Sequence, residues 1–170
     1  MLPHMSAAYN LARWITRRDA DAEDLTQEAF IRALQAFEGY RGGNSRAWML
    51  TIVRNTCYSW LQRNRPHEAK AVESFDEVAH LLEDEGADPE ALLLQQATAG
   101  VVQRALEQMP LDQREVLILR EQEELSYTQI AEVIGAPIGT VMSRLARARG
   151  RVRTLLSKET LLSKVSEVVR

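Results

Sequence analysis

The stretch Leu125 to Arg153, LSYTQIAEVIGAPIGTVMSRLARARGRVR, constrains the fold more tightly than any other, because two short helices joined by a tight break fit it best. Ser126 is placed to cap the first helix while Gln129 reaches back from three residues later, a capping box, and Ile130, Ala131 and Ile134 supply the buried side. Gly135 ends that helix, and Ala136 and Pro137 make the corner, with proline where a new helix begins without missing an amide donor. In the second helix Val141, Leu145, Ala148, Val152 and Leu155 recur at three- and four-residue steps and line one face. Thr140, Ser143, Arg144, Arg147 and Arg151 fall opposite, on a face with hydroxyls and guanidinium groups but no carboxylate.

Such a face suits a nucleic-acid duplex. Arginines neutralise phosphates or fork onto guanine edges, small hydroxyl side chains allow close approach, and the helix amino end attracts phosphate. An ordinary amphipathic helix with arginines on its wet side would carry the same residues. The capped helix, the glycine corner and the basic second helix together predict a DNA-binding helix-turn-helix.

A chain of 170 residues with 45% hydrophobic content has enough apolar material for one domain or two small ones. The net charge of -3 conceals an asymmetry: Glu68, Glu73, Asp76, Glu77, Glu83, Asp84, Glu85, Asp88 and Glu90 face Lys70 alone within one stretch, so the remainder is basic. The overall pI of 5.7 therefore does not oppose a nucleic-acid partner. Cys57 is single, which excludes an internal disulfide or a cysteine zinc cluster. His4, His67 and His80 are scattered, so neither a metal nor a catalytic site is nominated, and no cofactor is expected. With no membrane-spanning run and no signal peptide at the start, the expectation is a soluble, cytoplasmic protein.

In chain order, helical spacing predicts a helix from Ser6 to Arg17 with Ala8, Leu11, Ala12 and Ile15 buried. A second, Ala22 to Phe37, is expected to bury Leu25, Ala29, Phe30, Ala33, Leu34 and Phe37. Asp24, Gln27, Glu28, Ile31 and Gln35 share its other face, which sets a large aliphatic group among acids and amides. A lone exposed isoleucine is ordinary surface, and equally an anchor for a partner helix.

A glycine-rich loop from Glu38 to Asn44 then leads to a helix from Ser45 to about Arg63. Basic and aromatic residues mix there: Tyr40, Arg41, Arg46, Trp48, Arg54, Tyr58, Trp60, Arg63 and Arg65. Rings that stack on unpaired bases beside cations that follow phosphates make a single-strand site, and the same tryptophans would also serve as core. Pro66 is expected to end this unit, and the acidic stretch to Pro89 reads as a flexible linker. Helical spacing returns from Glu90 to Met109, and Asp112 with Glu115 is expected to cap a further helix carrying Val116, Leu117 and Leu119. The fold class predicted is all-α: two small helical domains, residues 1–65 and 90–157, joined by an acidic linker at 66–89, with a tail from 158 to 170.

The blocks DAEDLTQEAFIRAL, FEGYRGG, RAWMLTIVRNT, LEQMPLDQREVLILR and LSYTQIAEVIGAPIGTVMSRLARAR occur in this order and at matching separation. Together they resemble the extracytoplasmic-function (ECF) class of bacterial sigma factors, across both halves of the chain, leaving out chiefly the linker and the tail after about Leu156. The resemblance implies that Asp24, Leu25, Gln27, Glu28 and Ile31 dock on a coiled coil of the largest subunit of core RNA polymerase. It implies that the segment Tyr40 to Asn55 captures the minus-10 element as single strand, with Tyr40, Arg41, Arg46, Trp48, Arg54, Asn55 and the following Tyr58 as its candidates. It implies that Thr140, Met142, Ser143, Arg144 and Arg147 meet the minus-35 element as duplex, and that the acidic linker threads through the polymerase.

Met142 stands where many relatives have lysine, and Arg46 and Ala47 replace the aromatic and hydroxyl residues often found before Trp48. The tail, with Leu161, Leu162, Val165 and Val169, reads as a short amphipathic helix or an idle extension. The function implied is binding and positioning with no bond chemistry, and an anti-sigma factor is expected as a further partner. Two other classes stay open on the residues alone: a helix-turn-helix regulator that does not recruit polymerase, and an interaction protein that occupies an inhibitor of another sigma factor.

Overall fold

A computed structural model describes residues 2–73 and 99–168, and every described element is helical. After a single 3-10 turn at Leu2–His4, α1 spans Met5–Thr16, α2 Asp19–Ala36, α3 Ser45–Asn64 and α4 Pro66–Glu73. The second half contains α5 at Ala99–Gln108, α6 at Leu111–Glu121, α7 at Tyr127–Ile134 and α8 at Ile138–Val168. Val78, Leu81 and Leu82, the linker expected to Pro89, and the helical spacing expected over 90–98 lie outside the described residues.

The first domain is built on small residues. Ala22, Ala29 and Ala33 of α2 are fully buried against Ala8, Leu11, Ala12 and Ile15 of α1 and Leu50, Val53 and Leu61 of α3. Without long side chains between them the helices approach closely, so a short chain closes a core. Asp19 and Asp21 sit in the first turn of α2, where carboxylates complement the exposed amide donors. The Asn44 side chain accepts from Ala47 N at 3.0 Å and caps α3, after Gly42 and Gly43 have turned the chain at φ of 90° and 102°.

Two boundaries differ from the sequence expectation. Pro66 does not end the first domain. It opens α4, where a missing N–H costs nothing, and Ala69 then packs into the first core. At the other end, the tail is a direct continuation of α8 to Val168, with Leu161, Leu162, Val165 and Val168 exposed. The expected cap by Asp112 and Glu115 is also absent: Pro110 precedes α6 with no side-chain cap bond.

The helix-turn-helix forms as expected. Ser126 Oγ accepts from Gln129 N at 3.2 Å, and the Gln129 side chain accepts from Ser126 N at 2.9 Å. Gly135 closes α7 in the left-handed region at φ 66°, and Val141, Leu145, Ala148 and Val152 of α8 are buried.

Both domains share α6. Every residue from Asp112 to Leu119 is buried, charged and apolar alike, because α8 covers one side while α1 and α4 reach the other. An amphipathic helix covered only by its own domain would keep a wet face. Here the first domain takes the place of water.

Candidate nucleic-acid interface

On the outer face of α2, Asp24, Gln27 and Ile31 are exposed, Ile31 at 57%. Glu28 is half-buried and accepts from Arg32 at 2.6 Å. Leu25, a docking candidate only through the family resemblance, is core at 3% exposure, as its helical spacing predicted. Leu34 and Phe37, expected inside, are 64% and 57% exposed instead. With Ile31 they make an apolar ladder at three-residue steps along α2 and its terminal 3-10 turn. Sequence reasoning missed this ladder because four-residue spacing from Ala29, Phe30 and Ala33 assigned the same residues to the core; Leu25, Phe30 and the alanines take that side of the helix.

The loop after α2 carries an aromatic group in line. Phe37 stacks near Tyr40 with centroids 6.3 Å apart, and Tyr40 tilts onto Trp48 at 4.8 Å. The Tyr40 hydroxyl donates to Gly43 O at 2.8 Å and fixes the loop. Trp48 is half-buried and packs against the core, one of the two roles open from the sequence. Arg41 and Asn55 are exposed. Tyr40, Arg41, the two glycines, Trp48 and Thr51 line one side of a cleft of about 570 Å³, and Gln129 and Glu132 of α7 line the other.

The remaining candidates on α3 face the second domain. Arg54 donates to both carboxylate oxygens of Glu115, from Nε at 2.8 Å and from Nη2 at 3.1 Å, and lies 4.1 Å over the Tyr58 ring. Burial pulls the Arg54 pKa down, but the Glu115 charge and its hydrogen bonds outweigh this and raise it above the ordinary arginine value. Burial, reinforced by Glu115, pushes the Tyr58 hydroxyl well above its usual pKa. Arg46 pairs with Glu123, a buried carboxylate that also accepts from Asn10 Nδ2 at 3.3 Å.

On α8 the expected wet face is partly dry. Thr140, Ser143 and Arg144 are buried, and the Ser143 hydroxyl donates to Thr140 O at 3.1 Å. Arg144 lies 3.8 Å from Asp112 and 3.8 Å from Glu115. The cause is the charged side of α6, which supplies the carboxylates that this face of α8 lacks. Met142 and Arg147 are half-exposed, while Arg151 is exposed and donates to Gln113 at 2.8 Å. Two candidate sets thus meet at one carboxylate, Glu115, which sequence spacing marked only as a helix cap. Among the described residues no group of histidine, cysteine and carboxylate side chains could hold a metal ion, and no helix is long and apolar enough to cross a membrane.

Known proteins match both halves of the chain. Sigma-70 region 2 matches residues 2–67, and Sigma-70, region 4 matches residues 99–152. The ECF RNA polymerase sigma factor SigE of Mycolicibacterium smegmatis is 32% identical over 158 residues, 92% of this chain, which spans 60% of that relative's length. The ECF RNA polymerase sigma-E factor of Escherichia coli K12 is 38% identical over 136 residues, 76% of this chain and 70% of that protein. The sigma factor RpoE from Bartonella quintana, solved in complex with the anti-sigma factor NepR, superposes with a TM-score of 0.68 at 28% identity, covering 92% of this chain and 93% of that one. With an aromatic and basic loop in its first domain and a capped helix-turn-helix in its second, in the order of these relatives, the chain belongs to the ECF RNA polymerase sigma factors.

Proposed function

We propose that this protein binds core RNA polymerase in the cytoplasm and directs it to promoters, holding duplex DNA with α8 and unpaired bases with the loop before α3. Core polymerase binds DNA through backbone charge and has no sequence choice of its own. The choice comes from two readers held at a fixed distance by the polymerase. Thr140, Met142, Ser143, Arg144 and Arg147 serve the minus-35 element, while Tyr40, Arg41, Arg46, Trp48, Arg54, Asn55 and Tyr58 serve the minus-10 element. Stacking a flipped base on a ring contributes about 1 to 3 kcal/mol, which lowers the cost of opening the duplex. The chain itself makes and breaks no bonds.

The observation that carries this reading is the open cleft bordered by Tyr40, Arg41 and Trp48, with ring faces and a cation at one rim, in the same chain as a helix-turn-helix. The exposed ladder of Ile31, Leu34 and Phe37, beside Asp24, Gln27 and Glu28, provides what a polymerase-docking surface needs: an apolar anchor inside a polar rim. A regulator that bound duplex alone would have no use for it. By similarity to RpoE, solved in complex with NepR, an anti-sigma factor is a further partner.

Replacing Ile31 with Asp tests the docking surface without touching the core. The full-length variant is expected to keep its helical content and thermal transition and to lose co-elution with core polymerase by about tenfold or more, the size of a central anchor's loss. Unchanged polymerase binding and promoter-directed transcription by Ile31→Asp would remove α2 from the docking surface.

A further inference from the structure

At the start of α8 the accessible side chains are largely apolar. Thr140, Ser143 and Arg144 are buried, whereas Ile138 is 42% exposed and Met142 and Ala146 are half-exposed. These three stand at four-residue steps and so form one row along the helix, with Gly139 exposed next to Ile138 and Arg147 half-exposed next to Ala146. The row carries no charge, hydroxyl or amide. It is not needed for the core either, because Val141, Leu145, Ala148 and Val152 make the buried side of the same helix.

Such a row is unsuited to phosphate and suited to one feature of the major groove. Base edges there present donors, acceptors and, on thymine alone, a C5 methyl group. A branched alkyl group, a thioether and a methyl side chain offer nothing to the donors of a base edge, and they gain by taking a methyl out of water. Gly139 adds no side chain that would hold this end of the helix away from the bases. The row is about 12 Å long at the helical rise, enough to pass roughly three base pairs.

We propose that Ile138, Met142 and Ala146 read the minus-35 element through its thymine methyl groups, with Arg147 supplying the polar contact beside them. The proposal rests on the promoter reading of α8 and adds what that helix selects: thymine, on either strand, at the positions opposite the row, with cytosine rejected for want of the methyl. It also divides the binding energy by kind. A cation on phosphate acts by releasing counterions and fades as salt rises, whereas an apolar contact releases none and leaves the salt slope unchanged.

The test uses holoenzyme assembled from the full chain and bacterial core RNA polymerase, on the promoter that it selects most strongly from a library. Each thymine of the minus-35 element is replaced in turn by deoxyuridine, which removes the methyl and keeps every hydrogen-bonding group. At positions opposite the row, affinity is expected to fall about fourfold, the size of one buried methyl. Deoxyuridine in the spacer between the two elements is expected to change nothing. With Met142→Ala the loss at one of these positions is expected to vanish, since that methyl no longer has its partner, and with Ile138→Ala the loss at another. Both variants are expected to keep the wild-type salt slope.

Equal affinity for thymine and deoxyuridine throughout the element overturns the proposal and leaves promoter recognition standing; a row that docks on protein would give this result. A deoxyuridine effect that persists in both variants also overturns it, because the methyl then acts through the shape of the duplex. So does a selected minus-35 element without thymine. A holoenzyme with no promoter selectivity removes the promoter reading of α8, and the methyl readout with it.

Discussion

Cys57 lies in the middle of α3 with its thiol fully buried, and burial pushes its pKa from an ordinary 9.0 up to about 12. Below pH 9.0 folded and unfolded chains both hold this proton, and the stability it contributes is complete. Between pH 9.0 and about 12 the unfolded chain loses the proton while the folded chain keeps it, so stability falls as pH rises. Tyr58, raised in the same sense by burial, adds to this from about its ordinary 10.0 upward. Urea midpoints followed from neutral pH upward are therefore expected to drop from about pH 9, and Cys57→Ala is expected to flatten the earliest part of the drop. An identical alkaline profile in Cys57→Ala would show that the thiol is not the group responsible. The burial of Leu11 and Ile15 in α1 was legible from helical spacing; the pairing of Arg54 with Glu115, 61 positions away, was not, because spacing along one helix carries no information about which distant helix supplies the counter-charge.

Among the elements, α7 and α8 are the most completely specified by local sequence. The reciprocal bonds of Ser126 and Gln129 and the positive φ of Gly135 depend only on residues within a few positions, so the pattern names the structure. Ser126→Ala removes an amide's partner at the start of α7 and is expected to cost about 1 kcal/mol, read as a lower denaturation midpoint with no change in fold. An unchanged midpoint would mean that packing alone sets this helix start. By contrast α2 misled at its C-terminal end. Leu34 and Phe37 fit a helical apolar period, but Leu25 and the alanines at 22, 29 and 33 form the buried side of α2 and these two side chains lie outside it. The excess apolar residues go outward and, beside Ile31, form the surface proposed to dock on polymerase. In α6, local pattern suggested a capped amphipathic helix; the second covering layer comes from the other domain, which no window of the sequence contains.

At the scale of the whole molecule, two helical domains with separate sequence signatures close over one shared helix. The sequence blocks made the all-α, two-domain plan and the order of the readers legible, since each domain's core is patterned within its own segment. Closure was not legible: it depends on Arg46 and Arg54 meeting Glu123 and Glu115 across the chain, and on Asn10 reaching the same Glu123. Of the residues proposed to meet DNA, Thr140, Ser143 and Arg144 are buried, while Tyr40, Arg41, Asn55, Met142 and Arg147 keep some exposure. The central claim, that this chain gives polymerase its choice of promoter, is tested most directly by mixing the purified protein with bacterial core RNA polymerase and sequencing run-off transcripts from a promoter library. The account predicts a complex that co-elutes and transcripts whose templates share two upstream elements at fixed spacing. No co-elution, or transcripts no more selective than those of core polymerase alone, would contradict it.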